Sequence, residues 1–347
     1  LTIDVLFPHI GAGPKTMPYV RQYITIWYVG IVFVIVPMVG NNAMRAGGDT
    51  MTPGLIMMAG AVVNMVLDPL LIFGWWIFPR MEMQGAALAT VIARAITMLL
   101  SLMVLHYRKR MLAWAVPRWH ELMTSWRRIL HIGLPESLSN LFLPASIAVV
   151  NIMIKWHGTE AMAGVAIGNR IRMLAVMPTM AVGHVLVPLV GQNFAAGKFD
   201  RVDEARRVAF RFALFWGLGM WVLLAAGAPV VGWAFKTETN AEAMPYLYRY
   251  LWIIPLGFTP LAITRMSGAM FNAVGHPLKA ASLNLLRLFA LYVPVAFLGE
   301  RLFGFMGILA GMAAANWIAG IVAYTWVRLF EANQIRRRKL TLPADTG

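Results

Sequence analysis

Cysteine is absent from this chain, and charged residues are scarce. Without thiols the chain forms no disulfide, thiolate metal site or iron–sulfur cluster, and it has no cysteine nucleophile. Charged residues make up 13% of the 347 residues, whereas hydrophobic residues make up 59%. Soluble domains carry about 25% charged and 45–50% apolar residues. This balance excludes an ordinary soluble domain.

Motifs of the common enzyme classes are also missing. The segment "GQNFAAGKF" differs from a phosphate-binding loop because its glycines lie one residue too far apart and Phe199 replaces the Ser or Thr. The segment "HELMT" lacks the second histidine of a zinc protease motif, and no GxSxG nucleophile elbow occurs. We therefore expect neither an enzyme nor a transporter that is driven by its own ATPase.

Long apolar runs separated by short polar segments are what the chain has instead. Each run is long enough to cross a hydrocarbon core of about 30 Å as a helix. The pattern predicts an all-α, polytopic transmembrane bundle with about nine spans. The spans are 22–44, 53–76, 84–106, 131–154, 162–190, 208–233, 246–270, 278–299 and 303–328.

The net charge of +15 comes mainly from loops. Basic residues concentrate in 107–129, in "GKFDRVDEARR" and in the tail at 336–339, whereas the alternating loops are not basic. Because basic loops stay in the cytoplasm, we expect a multi-pass protein of the plasma membrane with a cytoplasmic C-terminus and an outside N-terminus. The positive charge is therefore explained by insertion in a lipid bilayer with basic cytoplasmic loops, and not by binding to nucleic acid.

A partial internal repeat supports a division of the chain into a part with three spans and a part with six spans. "AMRAGGDTMTPGLIMMAGAVVNMVLDPLLIFG" is similar to "AMFNAVGHPLKAASLNLLRLFALYVPVAFLG" in order and pattern. Repeated halves are typical of transporters, with the substrate site between them. The predicted regions are a partial N-terminal lobe (1–106), a basic inter-lobe loop (107–130), a six-span C-terminal lobe (131–330) and a basic tail (331–347).

Asp68 is the strongest candidate for a functional residue. Of the 15 acids it alone lies deep inside an apolar run, where an ionisable group costs at least about 2.5–3.5 kcal/mol. Asn64 lies on the same helix face, and Thr90 on the next helix is expected at a similar depth. Their oxygen atoms suit Na⁺ or a proton. The alternative is a silent ion pair between Asp68 and Arg94.

Three other polar residues in apolar spans are secondary candidates, and three further arginines lie within or near such spans. Arg287 lies about ten residues inside its span, is a possible cleft residue and would argue against purely cationic substrates. His184 and Asn151 either face a cleft or form helix–helix hydrogen bonds. Arg265, near the end of its span, is expected to snorkel. Arg170 and Arg172 also lie within an apolar span, and Arg172 is likewise expected to snorkel.

The chain resembles the multidrug and toxic compound extrusion (MATE) transporters. The resemblance rests on "MRAGGDTMTP", "NMVLDPLLIFG" with "QGAALAT", "GLPESL" and "PLVGQNFAAGK", which occur in the family's order from about residue 6 to residue 330. It implies twelve helices in two six-helix lobes, of which this chain would lack the first three. It also implies export of amphipathic, often cationic, compounds in exchange for H⁺ or Na⁺, without a cofactor.

The resemblance extends to the candidate site. A DinF-like branch of the family has an Asn-x-x-x-Asp pair, a Thr on the following helix and an Asp on the first helix. The first three match Asn64, Asp68 and Thr90, whereas the fourth would lie in the helices absent from this sequence. We expect a monomer, because the GxxxG patterns at 164–168 and 307–311 suit packing within a lobe. The alternatives are a lipid-linked oligosaccharide flippase or polysaccharide exporter, and an inactive truncated fragment or assembly partner.

Overall fold

The fold was analysed in a computed structural model that describes residues 3–4, 17–75, 78–113 and 118–341, without the side chains of 135–136, 139–140, 238–239 and 334–341. The chain divides into two compact units, an N-terminal unit (1–116) and a C-terminal unit (117–347). In the described residues of both units the secondary structure is helical, without strands. The all-α prediction is therefore confirmed.

The N-terminal unit is built from four helices. They are α1 (Met17–Val29), α2 (Ile31–Ala46), α3 (Met51–Phe73) and α4 (Glu82–Met103), and a π-helix (Val104–Arg108) extends α4. The first two helices meet at Gly30 with a bend of 51°. Helix α4 packs against the other three, and Ser101 in α4 donates a hydrogen bond to Asn41 in α2 over 3.4 Å.

A polar junction connects the start of α3 with the segment that follows α4 and its π-helix. The Asp49 carboxylate accepts hydrogen bonds from the Thr52 backbone N–H (3.0 Å) and hydroxyl (2.8 Å). It also pairs with Lys109 over 2.6 Å. These donors and the nearby ammonium group hold the pKa of Asp49 well below its usual range. The junction stabilises the first turn of α3 and links it to the segment after α4.

The C-terminal unit contains seven α-helices in its described residues. Its long helices are α5 (Trp119–Lys155), α6 (Thr159–Ala195) and α7 (Phe199–Phe235). The shorter ones are α8 (Met244–Ile253), α9 (Phe258–Ala273) and α10 (Pro277–Leu285), and the last is α11 (Val293–Thr341). A π-helix (Leu286–Tyr292) joins α10 to α11, and 3₁₀ turns flank α8. Helix α9 packs against α6, α7, α10 and α11, which makes it the centre of this unit.

Helix α11 reverses direction at Gly304, so it supplies parts of two spans. The backbone at Gly304 has φ 59° and ψ −139°, a conformation that side chains disfavour. The chain then packs back on itself so closely that a Cβ on Gly307 would clash with the carbonyl oxygen of Gly299. A Cβ on Gly311 would also meet the backbone of Val295 and Ala296. This GxxxG segment therefore packs within the unit.

The other GxxxG segment has the same role in α6. A Cβ on Gly164 would lie 2.7 Å from the carbonyl oxygen of Ala243, and one on Gly168 would meet the ring of Tyr250. Close approach of helices through small residues is typical of membrane bundles. Both GxxxG patterns thus bring helices of one unit together.

Each predicted span coincides with helical structure, but several boundaries differ, and two of these differences have a clear local cause. Helix α5 begins at Trp119, twelve residues before the predicted span at 131–154, because Glu121 accepts a hydrogen bond from the Arg118 backbone N–H (3.3 Å) and starts the helix there. The predicted span at 246–270 is broken by a 3₁₀ turn at Ile254–Gly257, where Pro255 removes a backbone donor.

Large apolar side chains are exposed along many of the described helices. In α7, for example, Phe215, Leu223 and Trp233 are exposed over 72%, 61% and 81% of their surface. Exposure of this kind fits a helix surface that faces lipid. Five of the described helical segments are long and apolar enough to cross a membrane, or six if the bent α1–α2 pair is one span.

Candidate cation site and basic cavity

The candidate acid of the N-terminal unit lies in the second half of α3. Asp68 is half-buried, and its Oδ1 accepts a hydrogen bond from the Asn64 side-chain amide over 3.2 Å. The two residues share a helix face because they lie four positions apart. Pro69 follows inside the helix and lacks a backbone N–H, so it leaves the carbonyl of Met65 without its helical donor. The acid thus lies beside an interrupted turn.

Thr90 lies at the depth of Asp68 on the neighbouring helix. Gly60 approaches Thr97, and Gly85 approaches Leu71, which fixes the antiparallel register of α3 and α4. That register places Asp68 level with residues 88–89, immediately before Thr90. The Thr90 hydroxyl donates to the Ala86 carbonyl over 2.9 Å, so its oxygen lone pairs stay available to a cation. The structure therefore joins Asn64 and Asp68 directly and places Thr90 nearby in depth.

Arg94 does not neutralise this acid. Its side chain is exposed, and within the described part of the chain it forms no ion pair with Asp68. The carboxylate, the Asn64 amide oxygen and the Thr90 hydroxyl are oxygen ligands of the kind that hard cations prefer. A proton needs only the carboxylate. This arrangement is suited to a transported cation that binds and leaves.

The C-terminal unit contains a cavity of opposite character. Its volume is 390 Å³, within the roughly 300–1,000 Å³ typical of small-molecule sites. Arg265 from α9 and Arg287 from the π-helix line it, together with His184 from α6. Its other polar lining residues are neutral: Thr179, Thr264, Asn272 and Asn284. No carboxylate lines the cavity among the described side chains.

Neither arginine has a counter-ion in the described part of the chain, although each buries a guanidinium nitrogen. Arg287 is only 6% exposed, and its Nε has no hydrogen-bond partner. The Nη1 atom of Arg265 is likewise buried and unpartnered. The guanidinium groups of these two residues and of Arg172 are close enough for their charges to repel. An arrangement of this kind attracts an anion and repels a cation.

Comparison with known proteins decides the family. The MatE family profile matches residues 1–70 and 135–298, more than half of the chain. A Shewanella oneidensis protein called FAD transporter is 33% identical over 322 residues, which cover 93% of this chain and 71% of the relative. This chain belongs to the MATE family.

Two less similar proteins support the same family. The multidrug export protein MepA of Staphylococcus haemolyticus is 25% identical over 92% of this MATE chain and 69% of its own length. A crystal structure of a mutant of the Vibrio cholerae MATE transporter VcmN superposes with a TM-score of 0.87, at 26% identity. The match covers 96% of this chain and 74% of that one. The predictions of a MATE transporter and of its helical fold are confirmed.

The remaining predicted residues of the MATE chain lie in different places. His184 is exposed and lines the cavity, whereas Asn151 is half-buried and lies outside it. Arg170 is exposed, and Arg172 is half-buried.

Arg265 differs from its sequence-based expectation. It was expected to snorkel, yet it lines the cavity with a buried Nη1. Its position only eight residues before the end of α9 gave no signal of this, because the packing of α9 against α6 and α10 decides it.

Proposed function

We propose that this chain is a secondary antiporter that exports small amphipathic organic compounds, often cationic ones, in exchange for H⁺ or Na⁺. The half-buried Asp68 carboxylate, with the single hydrogen bond from Asn64 and no ion pair in the described residues, carries this proposal. An ionisable residue inside a membrane helix is costly and is by default functional. The relatives named multidrug export protein support the export of organic compounds.

Asp68 couples ion and substrate if the ion binds one conformation more tightly than the other. A bound ion shifts the equilibrium between two conformations only by its differential affinity for them. Binding of H⁺ or Na⁺ at Asp68 would favour one orientation of the transporter, and substrate the other. The interrupted turn at Pro69 gives α3 a place to bend between them.

A second candidate substrate class is an anionic flavin nucleotide. The relative at 33% identity is called FAD transporter, and FAD has a diphosphate group. Arg265 and Arg287 in the cavity of the C-terminal unit favour this class over purely cationic drugs. A lipid-linked anion, the substrate type of a flippase, shares that chemistry.

Transport by the purified protein in proteoliposomes tests the proposal. A pH gradient or a Na⁺ gradient is imposed, and the movement of ethidium and of FAD is followed by fluorescence. Asp68→Asn should reduce gradient-driven transport to the level of empty vesicles. Asp49→Asn, the same change at a carboxylate outside the apolar run, serves as the matched control. Wild-type rates in the Asp68→Asn variant under both gradients would refute the role of Asp68.

A further inference from the structure

The cavity of the C-terminal unit combines features that a packing defect would lack. A buried guanidinium without a counter-ion costs several kcal/mol, so it persists where another benefit offsets the cost. Here the buried Arg287 and the half-buried Arg265 open onto the same space. They come from separate helical segments, α9 and the π-helix at 286–292, so the juxtaposition depends on the tertiary fold.

The backbone around Arg287 is also unusual. Leu286–Tyr292 forms a π-helix inside an otherwise α-helical span. Such segments are rare and occur frequently at functional sites. The Ser146 hydroxyl of α5 lies 3.5 Å from the Leu288 carbonyl, which gives this irregular backbone a polar neighbour. The π-helix thus holds Arg287 beside the cavity at a cost to regular hydrogen bonding.

The small residues around the cavity keep it open. A Cβ added to Gly183 would meet no atom within 4 Å, so this glycine of α6 borders empty space. Gly268 of α9 also lines the cavity, and its nearest neighbour would be the Ala280 Cβ at 3.9 Å. Hydroxyl and amide groups of Thr179, Thr264 and Asn284 complete a lining that is polar but not acidic.

We propose that this cavity is a binding site for a phosphate-bearing organic anion, which Arg265 and Arg287 hold by charge-assisted hydrogen bonds. Arginine is suited to this task because its planar fork matches phosphate oxygens and stays charged at all physiological pH values. The inference rests on the proposed export function for its biological meaning. Anion binding itself needs no ion gradient.

Binding of inorganic pyrophosphate to the purified protein in nanodiscs tests the charge requirement. Titration calorimetry at low salt should detect binding to the wild type, and Arg287→Gln or Arg265→Gln should weaken it by about tenfold or more. Arg301→Gln, at an arginine that is 69% exposed, is the matched control and should bind as the wild type does. Because this binding is measured without an ion gradient, it tests the site even if Asp68→Asn leaves transport unchanged, which separates this result from a failure of ion coupling.

Shape and ligand are tested separately from charge. Gly183→Leu should fill the cavity and abolish binding while the protein stays folded.

FAD should bind in competition with pyrophosphate, whereas riboflavin, which lacks the phosphates, should not compete. In nanodiscs of phosphatidylglycerol, competition by the lipid would identify a headgroup as the anion, and undiminished binding would identify a soluble one. Either result supports the site.

Thermal stability distinguishes a ligand site from a structural contact. Because Arg287 is buried without a counter-ion, Arg287→Gln should leave the melting temperature of the ligand-free protein unchanged or raise it. A lower melting temperature would indicate a packing role and would overturn the proposal. Absence of pyrophosphate binding in the wild type would also overturn it. Pyrophosphate binding that appears only in the Glu136→Gln variant would overturn the proposal as well. The side chain of Glu136 lies outside the described residues, and such a result would make it an internal counter-ion.

Discussion

The two units carry opposite charges five positions apart in a repeated sequence. Aligning Phe73 with Phe297 places Asp68 level with Tyr292 in the repeat, and Arg287 immediately before the counterpart of Asn64. In the N-terminal unit the interior charge is a carboxylate without a described basic partner, whereas in the C-terminal unit it is guanidinium without a described acidic partner. The repeated fold therefore does not determine the sign of its interior charge.

This contrast suggests a division of labour between the units. An acid with neutral oxygen neighbours is suited to binding a cation, and a pair of arginines is suited to binding an anion. A protein that exchanges a cation for an organic anion needs both kinds of site. The same architecture would then serve a cationic drug if its second site carried no arginine, which fits the principle that function depends on sites and not on folds.

Reversing the charge of the C-terminal site should have the largest effect. In Arg287→Glu the new carboxylate would lie on the same cavity as Arg265 and compensate its charge. We expect loss of detectable pyrophosphate binding and of FAD transport, because the site no longer attracts an anion. Gradient-driven ethidium transport should persist or increase. Retained FAD transport at the wild-type rate would contradict the assignment of the two units.

Removing the neighbour of the acid should have an intermediate effect. Asn64→Ala keeps the Asp68 carboxylate but deletes the hydrogen bond of 3.2 Å that it accepts. A hydrogen bond to a charged group contributes about 1.5–3 kcal/mol, so the half-saturating ion concentration should shift by about tenfold. It should rise for Na⁺, which loses an oxygen ligand, and fall for H⁺, which no longer competes with the amide donor. The half-saturating ion concentration in the proteoliposome assay measures this change. An effect as complete as that of Asp68→Asn would mean that the amide is itself essential.

The smallest effect is expected at Asp49, the paired acid of the same unit. Its pKa is held below the usual value by Lys109 and Thr52, so its stabilising contribution is complete above the unfolded-state pKa of about 3.9. That contribution is lost as the pH falls through the lower, folded-state pKa. Asp49→Asn should therefore lower the melting temperature slightly near neutral pH, and the difference should shrink in acid. Lys109→Met should give the same profile, whereas a difference that grows in acid would contradict the pairing.

The helices were largely predictable from the sequence, because each span has to satisfy its own backbone in lipid. The Asn64–Asp68 contact was predictable too, since it follows from a spacing of four residues on one helix. Boundaries were less predictable where the helix continues past the apolar run, as at Trp119 in α5. There the local hydrogen bond at Glu121, and not hydropathy, determines the start.

The basic cavity was only half predictable. Arg287 stood out because it lies far inside a span, but nothing in the sequence brought Arg265 beside it. Their meeting depends on the packing of α9 against α10 and on the π-helix, both of which are tertiary features. Sequence spacing predicts contacts along one helix, whereas contacts between helices that are distant in the chain need a register that the pattern does not contain.

The π-helix at Leu286–Tyr292 also affects how this interior can change during evolution. A π-turn is an α-helix with one residue inserted, and each residue turns a helix by about 100°. Loss of a single codon within this segment would restore the regular repeat and rotate Arg287 relative to every residue after Tyr292. One deletion would thus change the position of Arg287 relative to the rest of the helix without replacing any side chain, so the proposed anion site is open to loss in a single genetic step.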